Sequence, residues 1–295
     1  MIDRSALKPL VDSSGRFAVL ALDHRDSLRV EFDAADPQSV PVEALVSFKR
    51  DVVRAFGTLP SAVMLDPEFS IDQILLTGLL PSGVGSLCAL EAQGYLGVPD
   101  VTTNHLLEGW SAQRAKDVGA SAAKLLVLYR PDRGPISRVQ EDLIRSTVDA
   151  CGQANLPLFV EPVPYDVIDV DDRERTVLGS VERIAALGPD VIKMPFPSDS
   201  DSPERWERAC QAVNDVLDVP WAVLSWGAPF EVFVRQVAVA CEFGCSGFMA
   251  GRAIWAEAVH ADDRQRTLAQ VALPRFAALV DAIGPARSAL SIDEP

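Results

Sequence analysis

The chain has 295 residues, 48% hydrophobic and 23% charged, an ordinary globular composition with length for one large or two medium domains. A net charge of −15 and an isoelectric point near 4.6 argue against a nucleic-acid partner, because a phosphate backbone asks for clustered Lys and Arg. No uninterrupted apolar run reaches the roughly 18 residues of a membrane span, and the N-terminus lacks the apolar core of a signal peptide, so no membrane contact is expected.

Eight short apolar or β-branched runs recur along the chain: 17–22, 62–65, 87–90, 123–128, 158–162, 191–194, 221–225 and 247–250. Near-continuous apolar runs of this length suit strands covered on both faces, as in a parallel sheet. Between them, helical periodicity predicts helices over 41–56, 137–154, 172–187, 203–217 and 229–243. Turn residues follow each one: Gly57, Asn155 with Pro157, Gly188 with Pro189, Pro220 and Gly244. Segment 67–86 mixes helix and loop. Segment 91–110 reads as a loop after the third strand, placed over the mouth of the fold. No linker divides the chain, so residues 1–295 are expected to form one (β/α)8 TIM barrel. A doubly wound open sheet is the competing α/β fold. It would usually carry a Gly-rich fingerprint after its first strand, where this chain has Asp23-His24-Arg25.

Five scattered cysteines (88, 151, 210, 241, 245) form no CxxC or Cys/His spacing. An odd set of this kind fits reduced thiols and a cytoplasmic location. The three histidines (24, 105, 260) lie far apart, so neither a metal nor another cofactor is expected.

The chemistry of a barrel sits at the C-terminal ends of its strands. Strand 1 runs into Asp23-His24-Arg25, strand 2 into Asp66-Pro67-Glu68, and strand 3 into Glu91; strand 4 carries Lys124, strand 5 Glu161 and strand 6 Lys193. Of only five lysines, against 22 arginines, Lys124 and Lys193 are the two inside hydrophobic runs. Burying an ammonium is costly unless it is paired or neutralised, and a lysine held near neutrality attacks carbonyls. The leading reading is therefore a Schiff base on Lys193, with Asp23, Lys124 and Glu161 facing the same cavity and a carboxylate moving protons. The bland reading is a lysine that snorkels out, or a buried ion network that only holds the barrel together. Strands 7 and 8 end in Ser225-Trp226-Gly227 and Gly251-Arg252. Loops at these positions commonly hold a phosphate through backbone N–H groups, with glycine permitting close approach and arginine supplying a fork. Tight βα turns with a locally paired arginine are the plain alternative.

Together, Asp23-His-Arg, Asp66-Pro-Glu-Phe, Ala-Ala-Lys124-Leu-Leu-Val-Leu-Tyr, Phe-Val-Glu161-Pro, Val-Ile-Lys193-Met-Pro-Phe-Pro, Leu-Ser225-Trp-Gly227 and Ala-Gly251-Arg252-Ala-Ile-Trp255 resemble the class I tagatose-1,6-bisphosphate aldolase family, which includes the sulfofructosephosphate aldolases. The resemblance spans about residues 15–280 in order. It implies a metal-independent Schiff-base aldolase in which Lys193 forms the imine, Glu161 transfers protons, and Asp23 and Lys124 assist. It places a ketose 1-phosphate on Ser225, Gly227 and Arg252, in line with the phosphate turns at Gly227 and Gly251, and a C6 phosphate or sulfonate near His24 and Arg25. The implied substrates are tagatose 1,6-bisphosphate or 6-deoxy-6-sulfofructose 1-phosphate, cleaved to dihydroxyacetone phosphate and a three-carbon aldehyde. Family members often have Gln where this chain has His24, Glu where it has Pro195, and a small residue where it has Trp226. The alternatives are a deoxyribose-phosphate-type aldolase, a metal-dependent aldolase, and a non-catalytic sugar-phosphate-binding regulator on the same barrel. By analogy with barrel aldolases, a homo-oligomer is expected.

Overall fold

The computed structural model describes residues 4–93 and 103–284. Eight parallel strands close in sequence order: β1 (Phe17–Ala21), β2 (Ala62–Leu65), β3 (Gly85–Ala89), β4 (Ala122–Leu128), β5 (Leu158–Val163), β6 (Val191–Pro195), β7 (Trp221–Leu224) and β8 (Gly247–Ala250). The ring closes where β8 pairs with β1, Phe17 opposite Gly247 and Leu20 opposite Ala250. Closure needs glycine at 247. Its φ is +135°, and an added Cβ would lie 2.1 Å from the Phe17 carbonyl oxygen. The expected (β/α)8 barrel is thus the observed fold, and each expected strand is present within two residues of its bounds.

The outer layer is built by α1 (Asp26–Phe32), α2 (Val42–Phe56), α3 (Ala112–Asp117), α4 (Pro135–Ala154), α5 (Val170–Ala185), α6 (Pro203–Val216), α7 (Phe230–Glu242), α8 (Arg252–Trp255), α9 (Arg264–Thr267) and α10 (Leu273–Ile283). The starts and stops follow local chemistry. The Asp169 and Ser202 side chains accept the backbone N–H of Asp172 and Arg205 at the starts of α5 and α6. α4 ends on Asn155 in the left-handed region, at φ +50°. The short α1, directly after Arg25, was not apparent from periodicity. Of segment 91–110, residues 94–102 lie outside the described residues, as does the tail after Gly284. Glu91 and Leu106 form an isolated antiparallel bridge.

Strand alternation sorts the side chains into two cores. Outward-facing Ala18, Leu20, Val63, Leu65, Val160 and Ile192 pack under the helices. Inward-facing Phe17, Val19, Met64, Leu87, Phe159 and Met249 fill the lower barrel, with Leu7 and Leu10 of the N-terminal 3-10 turn (Arg4–Leu10) plugging its base. Burying these apolar surfaces is the main favourable contribution to the barrel's stability. Asp23, Glu91, Lys124, Glu161 and Lys193 continue the inward register one layer higher. The apolar plug therefore becomes the base of a charged chamber open at the strands' C-terminal end. No helix among the described residues is long and apolar enough to cross a membrane.

Candidate active site

The floor of the chamber is an alternating set of charges. Lys193 Nζ lies 2.8 Å from Glu161 Oε2 and 3.7 Å from Met64 Sδ. The same carboxylate oxygen is 3.0 Å from Lys124 Nζ. Lys124 also donates to Asp23 Oδ2 at 2.9 Å and to Glu91 Oε1 at 2.8 Å. Five strands contribute one group each, and every group is at most 8% exposed. Buried charges persist when each has hydrogen-bonded partners of opposite sign.

Burial pushes the Asp23 carboxyl up, but the Lys124 and Lys193 ammonium groups and His24 outweigh it and hold it well below the usual carboxylate range. Burial also brings the His24 imidazole down to about 3, against an opposing pull from Asp23, so the ring is neutral at ordinary pH. Its Nδ1 is buried without a hydrogen-bond partner, and Asp23 Oδ1 lies 3.9 Å away. The edge of the ring meets Trp255 at 5.1 Å. A Cβ on Gly251 would approach His24 Cε1 to 2.6 Å and the Ala21 carbonyl to 2.7 Å.

Lys193, Glu161, Lys124 and Asp23 thus come together, and His24, Ser225, Gly251 and Arg252 line the same cavity. Gly227 sits in the turn closed by Ala228 N–H to the Ser225 carbonyl at 2.9 Å. Its φ of +80° follows Trp226 at +41°, a conformation uncommon for a bulky residue. Arg252 is exposed and lies 3.4 Å from Glu31.

Arg25 does not reach the cavity. It is 1% exposed, and its guanidinium donates to Glu68 Oε2 at 2.8 Å and to the Glu91 carbonyl at 2.7 Å. It braces Glu91, whose carboxylate also accepts the Leu126 N–H at 3.1 Å. Glu68 is presented by a turn in which Asp66 accepts the N–H groups of Glu68 and Phe69. Fully buried Lys49 pairs with Asp66 behind that turn, and Ser70 donates to Asp66 at 2.7 Å.

Glu91 is the floor residue that sequence reading left out of the reactive set. Its signal was available in the alternation of Leu87, Ala89 and Glu91 on one face. Among the described residues, no group of three or more His, Cys, Asp or Glu side chains is placed to hold a metal ion.

The DeoC/LacD family aldolase model matches residues 17–257. The tagatose 1,6-diphosphate aldolase of Streptococcus agalactiae serotype V is 27% identical over 281 residues, covering 86% of this chain and 85% of that protein. The tagatose 1,6-diphosphate aldolase of Listeria monocytogenes serotype 4b is 26% identical over 284 residues, covering 88% and 83%. An archaeal fructose 1,6-bisphosphate aldolase structure superposes with a TM-score of 0.64 at 18% identity, over 95% of this chain and 98% of that one. A structure of the Schiff base forming fructose-1,6-bisphosphate aldolase matches equally, with a TM-score of 0.64 at 18% identity over 95% and 99%. At that identity the two structures establish the shared fold.

Proposed function

The chain belongs to the DeoC/LacD aldolase family and is an aldehyde-lyase, and from that premise we propose that it cleaves a ketose 1-phosphate to dihydroxyacetone phosphate and an aldehyde through an imine on Lys193. The observation that carries this reading is the Lys193–Glu161–Lys124 contact at the head of the apolar plug, 2.8 and 3.0 Å around one carboxylate oxygen. A lysine amine attacks a ketone only after losing a proton, and Glu161 is the base in contact with it.

The steps follow from that placement. Lys193 Nζ adds to C2, Glu161 relays the proton that lets water leave, and the resulting iminium is the electron sink for the C3–C4 bond. Glu161 then takes the C4 hydroxyl proton as the bond breaks. Lys124, tied to Asp23 and Glu91 as well, keeps Glu161 in place and supplies positive charge beside the developing alkoxide. Ser225, Gly227, Gly251 and Arg252 hold the 1-phosphate at the ends of β7 and β8. Binding energy from that remote phosphate positions C2 against the amine. Within this class, tagatose 1,6-bisphosphate and 6-deoxy-6-sulfofructose 1-phosphate both need a cation for a C6 anion. Arg25, the expected one, is already bound to Glu68 and Glu91.

Borohydride reduction in the presence of dihydroxyacetone phosphate, followed by peptide mass spectrometry, tests the reading. A reduced adduct on the peptide containing Lys193 is the expected result. An adduct on Lys124 would reverse the two lysine roles. A folded protein that traps nothing would overturn the imine mechanism.

A further inference from the structure

The walls of the cavity are unlike each other. Above Lys124 on β4, the inward positions are Leu126 and Leu128. Beside them on β5, Val163 stands above Glu161 and pairs with Leu128 in the ladder. The opposite wall, from β8 and β1, presents His24, Ser27 and Arg252.

Arg25, Arg130, Arg133 and Arg173 stand around the mouth without lining the cavity. Arg25 is held by Glu68 and Glu91. Arg130 forms fork contacts with Asp132 and Asp172 at 2.9 to 3.1 Å, and Arg133 pairs with Asp166 at 3.1 Å. Arg173 donates to the Phe196 carbonyl at 2.7 Å and stacks on Trp226 at 4.5 Å, with Asp199 3.9 Å away and its Nε unpartnered; the indole lines the cavity while the guanidinium does not. Among the described residues, the cations that line the cavity are Lys124, Lys193 and Arg252, and the two lysines sit among Asp23, Glu91 and Glu161. The floor is therefore neutral to negative, and Arg252, which also lies 3.4 Å from Glu31, is the lining cation above it among the described residues.

We propose that the aldehyde half of the substrate ends in an uncharged, apolar group. The substrate class is a ketose 1-phosphate with a terminal methyl, such as a 6-deoxyketohexose 1-phosphate, and the released aldehyde is a 2-hydroxyalkanal such as lactaldehyde. This rests on the Schiff-base reading of Lys193. With C2 on Lys193 and the phosphate toward Ser225 and Arg252, the C4 hydroxyl falls beside Glu161. The carbons beyond it meet Leu126, Leu128 and Val163. The C3–C4 bond breaks toward the iminium, the C4 hydroxyl proton passes to Glu161, the enamine is reprotonated at C3, and water, replacing the one lost on imine formation, hydrolyses the iminium to free dihydroxyacetone phosphate and the Lys193 amine; no further reactant is consumed. A methyl against three apolar side chains gains from leaving water. A phosphate or sulfonate on the same wall is stripped of water, and among the described residues that wall carries no cation to meet it.

Condensation of dihydroxyacetone phosphate with lactaldehyde, glyceraldehyde 3-phosphate and sulfolactaldehyde tests the inference. The expected kcat/KM for lactaldehyde exceeds that for either anionic aldehyde by about tenfold or more, equivalent to about 1.4 kcal/mol. Leu128→Arg places a cation on the apolar wall and is expected to move that ratio by about tenfold toward glyceraldehyde 3-phosphate. Preference of the parent protein for an anionic aldehyde, or no turnover with any of the three while the Lys193 adduct forms, overturns this inference and leaves the imine reading standing. Absence of the adduct removes the imine reading itself, and this inference with it.

Discussion

Replacing Arg25 by Met distinguishes a brace from a substrate contact. The guanidinium is 1% exposed and donates to the Glu91 carbonyl at 2.7 Å and to Glu68 at 2.8 Å. The Glu68 side chain is 39% exposed, so its freed carboxylate rehydrates at little cost. The Glu91 carbonyl has no such recourse, and an orphaned buried acceptor costs about 1–3 kcal/mol. The roughly 3–5 kcal/mol for breaking a fully buried ion pair is an upper bound, because the Glu91 carboxylate keeps Lys124 and the Leu126 N–H. Arg25→Met is therefore expected to lose about 2–4 kcal/mol of stability, read as a lower urea midpoint at unchanged slope. Loosened Glu91 displaces Lys124, so kcat is expected to fall by up to about 100-fold, equally for charged and uncharged aldehydes. A stability change within about 0.5 kcal/mol, with KM rising only for C6-anionic ketoses, would falsify the brace and restore Arg25 to the substrate.

Three further outcomes follow from the same geometry. Glu161→Gln keeps the shape of the floor but removes the base beside Lys193, and kcat is expected to drop by about 10²–10⁴-fold with the fold intact by circular dichroism. For His24, burial lowers the folded value to about 3 from 6.5, so its contribution to stability is complete above pH 6.5 and is lost as pH falls toward 3. Urea midpoints measured across that window should slope less in His24→Gln, by at most about 1.4 kcal/mol per pH unit, and identical slopes would remove the assignment. Gly251→Ala puts a methyl against His24 Cε1 and the Ala21 carbonyl, so a lower melting temperature and weaker ketose 1-phosphate binding are expected in calorimetry.

The barrel was legible because its strands are short apolar runs at regular spacing, and such runs suit a sheet covered on both faces. The floor was legible because a lysine inside such a run is anomalous, and two of them mark one layer. Glu91 was visible for the same reason, as the third inward position after Leu87 and Ala89. Arg25 was not. Alternation would turn it inward with Asp23, but β1 ends at Ala21 and α1 begins at Asp26, so the period of two has lapsed by residue 25. Its direction is set by Glu68, 43 residues later, on a turn fixed by Asp66 and buried Lys49. That long-range pairing has no periodic trace in the sequence.

The same contrast explains why the reaction class is easier to read than the substrate. The proposed imine chemistry depends on groups at the strand ends, where register dictates direction and five inward positions carry five charges. Specificity depends on which rim cations remain available after the loops have paired their own. Twenty-two arginines promise many anion sites. Around the mouth, however, Arg25, Arg130 and Arg133 are paired with carboxylates, and Arg173 lies behind an indole. What lines the cavity is Arg252, 3.4 Å from Glu31, on one side and a leucine-valine wall on the other. A chain can therefore keep the charged floor of an aldolase while its rim selects a different aldehyde. Changing that selection takes one new pairing at the rim, whereas changing the floor would leave buried charges without partners.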